Sequence, residues 1–122
     1  MAVHLPPGWP DAVRPPDTGG FESTATQWLL DLCPPDYRGY RVLRQHPLAL
    51  AWLAGKHVQA SQHAADDALA RVRSELADDL GPGAKQALIS AIETEQARLI
   101  AAARAVALIE QALRGHRYVP RL

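Results

Sequence analysis

The chain has 122 residues, 13 basic and 13 acidic side chains, and no formal net charge at pH 7. That length suits one domain with a modest core, and neutrality leaves no global field to recruit nucleic acid or a membrane surface. A single cysteine, Cys33, excludes an intramolecular disulfide and gives no sign of an oxidising compartment.

The opening "MAVHLPPGWPD" has neither a basic n-region nor an apolar run, so it does not read as a signal peptide. No stretch approaches the roughly 18 apolar residues that a membrane span needs. The expectation is a soluble cytoplasmic protein that does not enter a membrane. Twenty-two alanines and few β-branched runs favour helix over strand.

Residues 1–20 hold Pro6, Pro7, Pro10, Pro15 and Pro16 with Gly8, Gly19 and Gly20. They read as an extended, polyproline-like arm whose one aromatic is Trp9. With little local sequence to pack on, Trp9 is expected to dock on Trp28 or Trp52. Residues 21–122 read as a single helical domain. In "FESTATQWLLDLC", Phe21, Ala25, Trp28, Leu29 and Leu32 fall on one helical face, which predicts a helix over about 21–33. Pro34 ends it, because proline disfavours helical geometry at the residue before. A connector helix is expected over about 36–46.

Two long helical patterns follow. The first begins at Pro47, a residue suited to a first helical position, and runs to Leu80. Gly81 is expected as a left-handed cap and Pro82 as a break. The second runs over about 84–114 and stops at Gly115. The short "GPG" makes the pair antiparallel neighbours. Asp78 and Asp79 conflict with this, since a helix C-terminus disfavours carboxylates.

The two seams differ. Leu88, Ile92, Glu95, Leu99, Ala102, Val106, Ile109 and Leu113 alternate steps of four and three, a heptad seam with Glu95 as intruder. Ala54, Val58, Ser61, Ala65, Leu69, Val72, Leu76 and Leu80 lie nearer an eleven-residue repeat. Unlike seams fit a short bundle better than a long two-stranded coil. Leu88, Ile92, Leu99, Val106, Ile109 and Leu113 are therefore the candidate self-association residues, and a homodimer or another helical protein is the expected partner.

Folding the hairpin about Pro82 brings residue n beside roughly 164 − n, so Arg114 lies beside Leu50 and Tyr118 beside His46. All seven aromatics then gather at one end, the base, and the far half is a thin rod. The connector supplies Arg38, Arg41, Arg44, Tyr37 and Tyr40, and the tail supplies Arg114, Arg117, Arg121 and Tyr118. If the connector is helical, Arg38 and Arg41 share one face, with Tyr37, Tyr40 and Arg44 on the next. Planar arginines with tyrosines suit phosphate, stacked bases or an acidic protein surface, so this end is the candidate site for nucleic acid or another anion. The competing reading pairs the same arginines with Asp11, Asp17, Glu22, Asp31 and Asp36.

Other chemistry is sparse. Glu95 in the seam reads either as an acid with a raised pKa or as a partner of Arg71 or Arg73 across the hairpin. His57 and Ser61 share a helix face, but the register holds Glu95 about 18 Å from His57 along the rod. His57 and His63 lie on different faces, and no carboxylate stands three residues before a histidine. Phosphate-loop and zinc spacings are absent. No catalytic residue, metal or cofactor is expected.

"LPPGWPDAV…PP", "WLLDLCPPDYRGYRVLRQHPLALAWLAGKHV" and "ALIEQALRG" resemble a family of small uncharacterised helical proteins from high-GC bacteria, with "PPDYRGY" the most distinctive part. The resemblance implies a bacterial cytoplasmic setting and no activity, ligand or catalytic residue. The expected protein is all-α: a long antiparallel helical hairpin with a short N-terminal helix, a connector helix and a proline-rich arm. Its expected function is a non-enzymatic helical interaction or adaptor module, with nucleic-acid or anion binding at the Arg/Tyr-rich base as the alternative.

Overall fold

Proline sets most of the element boundaries. The computed structural model describes residues 4–121, so residues 1–3 of the arm and Leu122 of the tail lie outside the described residues. Helix α1 spans Phe21–Leu32, α2 Arg41–Gln45, α3 Pro47–Glu75 and α4 Pro82–Leu113, with a 3₁₀ turn over Pro35–Gly39. No strand occurs among the described residues. The long helices pack against each other as an antiparallel hairpin, in the all-α architecture expected from the sequence.

Local chemistry moves several bounds. Cys33 is extended before Pro34, as the proline requires, and α1 stops at Leu32. The connector is not one helix, because Tyr40 adopts an extended conformation (φ −91°, ψ 107°) and separates the 3₁₀ turn from α2. Helix α3 ends at Glu75, five residues before the expected Leu80. Unwinding there releases Asp78 and Asp79 from the negative end of the helix dipole. Lys85 Nζ donates to the Ala77 carbonyl at 3.1 Å and ties the turn to the start of α4. Gly81 is not left-handed; it is extended (φ −67°) and caps α4, with Pro82 at the first helical position. Gly115 does take φ 92°. Its N–H donates to Ala112 and that of His116 to Gln111, the paired bonds that close a helix C-terminus.

Small residues let the long helices approach closely. Ala51, Ala54, Ala102 and Ala105 are buried, and Gly55 lies against Val106. Symmetric folding about Pro82 would have set Gly55 beside Ile109, so the true register is slightly tighter. A Cβ on Gly55 would meet Val106 Cγ1 at 3.6 Å, an ordinary contact. Gly55→Ala should therefore stabilise the fold by about 0.5–1 kcal/mol, the helix-interior cost of glycine. A lower melting temperature for that variant would contradict this packing.

The core is concentrated at the base. Leu29, Leu50 and Ile109 are fully buried where α1, α3 and α4 meet, and the cluster ends at Val58 and Leu99. Beyond that level only Val72 and Ile89 are buried among the described residues. Leu69, Leu76, Leu80, Leu88 and Ile92 are only partly buried along a two-helix tip.

The arm is folded rather than extended. Turns bonded from Trp9 N–H to Pro6 and from Val13 N–H to Pro10 wind it onto the base. Val13 enters the core, and Trp9 Nε1 donates to the Val13 carbonyl at 2.9 Å. Trp9 packs on Phe21 with ring centroids 6.0 Å apart, not on Trp28 or Trp52. Gly8, at φ 96°, lets the arm cross α4, because a Cβ there would lie 2.7 Å from Arg104 Nε.

Candidate functional site

The two arginine groups are held by different neighbours. The 3₁₀ turn and α2 place the connector group against α1 and α3. Arg38 Nη2 donates to Asp31 Oδ1 at 2.6 Å, across the turn that Pro34 and Pro35 create. Arg41 and Arg44 lie on the exposed side of α2, and neither has an ion-pair partner among the described residues. Tyr37 is half-buried and edge-on to His57, 6.2 Å between centroids, while Tyr40 is 54% exposed.

The tail group belongs to α4 and the arm. Arg114 pairs with Glu110 one turn back, at 3.3 Å. Arg117 makes a bidentate pair with Asp17, both bonds 2.7 Å, and donates again to the Ala112 carbonyl. Asp17 takes positive φ (69°), a conformation aspartate tolerates better than most residues. Tyr118 and Arg121 are exposed beyond this latch. Asp31 and Asp17 thus serve as the local partners that the competing reading required for Arg38 and Arg117, and Arg41, Arg44 and Arg121 are left without a carboxylate among the described residues.

Sequence reasoning set the arm and the tail at one end, with Asp17 among five possible partners, but did not single out the Asp17–Arg117 pair, 100 residues apart in the chain. Between them and the last turns of α4 lies a cup of about 320 Å³, walled by Trp9, Pro16, Leu108, Ala112 and Tyr118. The Arg117 guanidinium beside Asp17 holds that carboxyl below its ordinary value. Such a carboxyl contributes stability that is complete above its unfolded-state pKa of about 3.9. The contribution is lost as pH falls through the lower folded value. Asp17→Asn should therefore speed amide exchange in His116–Val119 at neutral pH, and acidification from about pH 3.9 downward, through the lower folded value, should do the same to wild type. Equal exchange in the two proteins at neutral pH would contradict the latch.

The remaining candidates lose their chemistry. Glu95 does not reach across the hairpin; it pairs with Arg98 on its own helix, and that hydrogen bond lowers its pKa instead of raising it. Arg71 is engaged by Asp67 and Glu75. Ser61 Oγ donates to the backbone carbonyl of His57, not to its ring. Cys33 is buried and free, and burial pushes its thiol pKa up, away from a reactive thiolate. No group of three metal-ligating side chains converges among the described residues.

The heptad seam divides in two. Leu99, Val106 and Ile109 are buried within the single chain, while Leu88, Ile92 and Leu113 are only partly buried. No described helix is long and apolar enough to cross a membrane. Comparison with protein-family models, curated proteins and solved structures found no match.

Proposed function

We propose that this chain is a non-enzymatic, cytoplasmic interaction module that self-associates through its helical hairpin. The observation that carries the reading is the uneven core. The base buries side chains from α1, α3, α4 and the arm, whereas the tip buries only Val72 and Ile89 and leaves five leucine and isoleucine side chains incompletely buried. A two-helix layer of that depth gains stability from a further layer of helix. The buried, unpaired Cys33 suits a reducing compartment. Light scattering tests the reading: a dimer is expected at about 100 µM, since a small interface associates weakly. A folded monomer throughout that range would overturn it.

A second reading is supported by α2. Arg41 and Arg44 are exposed without carboxylate partners, beside the exposed Tyr40. That set can hold a phosphate and stack a base. Binding of single-stranded DNA or RNA at low salt that is lost in Arg41→Gln with Arg44→Gln would favour it, and no binding by wild type would remove it.

A further inference from the structure

The outer side of α3 carries a stripe that no other element covers among the described residues. Trp52, Lys56, Gln59, His63, Asp66 and Ala70 alternate steps of four and three, so they share one face, and all six are exposed. Trp52 is 51% exposed, and the Lys56 ammonium stands 5.5 Å from its ring centroid. Among the described residues Lys56 has no carboxylate at ion-pair distance. Asp66 has no cation there either, and accepts only the Gln96 side-chain amide at 2.8 Å. Ile100, a large apolar side chain of α4 that is 65% exposed, borders the Asp66 end of the stripe in a shallow groove.

The pattern reads the same in both directions about its centre at Ser61. Laid antiparallel on a copy of itself, Lys56 meets Asp66, Gln59 meets His63, and bulky Trp52 meets small Ala70. Each contact occurs twice, as a twofold interface requires. Laid parallel, Lys56 meets Lys56 and Asp66 meets Asp66.

The charge of the whole rod favours the same direction. Beyond the core, residues 61–98 hold seven carboxylates and four basic side chains, a net of −3. The rest of the chain holds six carboxylates and nine basic side chains, a net of +3. Helix α4 alone, at 32 residues, is about 48 Å long, several times the screening length of about 8 Å, so the two ends of one chain do not neutralise each other. An antiparallel neighbour brings them together.

We propose that a second copy of this chain packs on the outer stripe of α3 in antiparallel orientation, joined by reciprocal Lys56–Asp66 pairs with Trp52 over Ala70. The proposal rests on the self-association reading and gives it a direction and a face. That face is the side of α3 turned away from Leu69 and Leu76, where a further helix layer adds to the thin rod without covering those side chains. Within one chain Lys56 and Asp66 are ten residues apart, about 15 Å along the helix, so an exchange of their charges has no compensating effect inside a monomer.

The test is sedimentation equilibrium of wild type, Lys56→Asp, Asp66→Lys and the double exchange, with each fold verified by circular dichroism. Each single reversal turns two attractive contacts repulsive and should weaken the dimer roughly tenfold. The double exchange should restore wild-type affinity. Singles that associate like wild type, or a double exchange as weak as the singles, would overturn this face and direction while leaving self-association intact. A wild-type monomer at every concentration would overturn both.

Discussion

Val106→Glu should unfold the chain even where no partner is present. Val106 is buried between α3 and α4 against Gly55, on the side of α4 that supplies Leu99, Ala102 and Ile109 to the core. An unpaired carboxylate there costs several kcal/mol, and the lost apolar burial adds about 2 more. A domain of this size has about 5–15 kcal/mol of stability in total. Leu99→Glu should behave alike, because Leu99 is buried in the same cluster. Leu88→Glu and Ile92→Glu should keep the fold, since both positions are only partly buried at the tip. Far-ultraviolet circular dichroism during heating separates the two classes. A Val106→Glu variant that melted like wild type would show that this part of the seam is not packed inside the single chain.

Deleting residues 1–16 should lower the melting temperature substantially. The deletion removes Val13 from the core and Trp9 from its stack on Phe21, and opens Phe21 to water. Loss of that burial is worth about 3 kcal/mol. For a domain of this length that is roughly 10 °C. It also removes Pro7, whose carbonyl accepts from Arg104 Nε at 2.9 Å. An unchanged melting temperature would mean that the arm contributes no packing and is free to serve as a ligand for another protein.

The helical hairpin was legible because its signals are local and repeated. Apolar residues recur at helical spacing through α3 and α4, Pro47 sits at a first helical position and Gly115 closes α4 as expected, whereas Pro82 begins α4 where a break before residue 84 was expected. The misjudged boundaries are those where two local signals compete. Gly81 resembles a C-terminal cap, but Asp78 and Asp79 end α3 before the chain reaches it, which leaves Gly81 to begin α4. Gly39 and Tyr40 divide the connector although its residues have helical spacing.

The candidate site was legible in composition and not in grouping. Periodicity cannot show that Asp17 reaches Arg117 or that Asp31 reaches Arg38, because those pairs depend on how the arm and the connector fold back. The same holds for Glu95, whose place in the seam suggested a partner across the hairpin until Arg98 on its own helix was seen to supply one. The seam also could not reveal that Leu99, Val106 and Ile109 are consumed by α1 and α3.

Amide hydrogen exchange along α3 and α4 at low and high protein concentration tests most directly whether the base holds the fold and the tip is left for association. Amides around Leu50, Val58 and Ile109 should be strongly protected at every concentration, because they open only with the core. Those around Leu69, Val72, Ile89 and Ile92 should exchange faster in dilute protein and slow as concentration rises and a second copy adds its layer. Equal protection of base and tip, unchanged by concentration, would contradict the account.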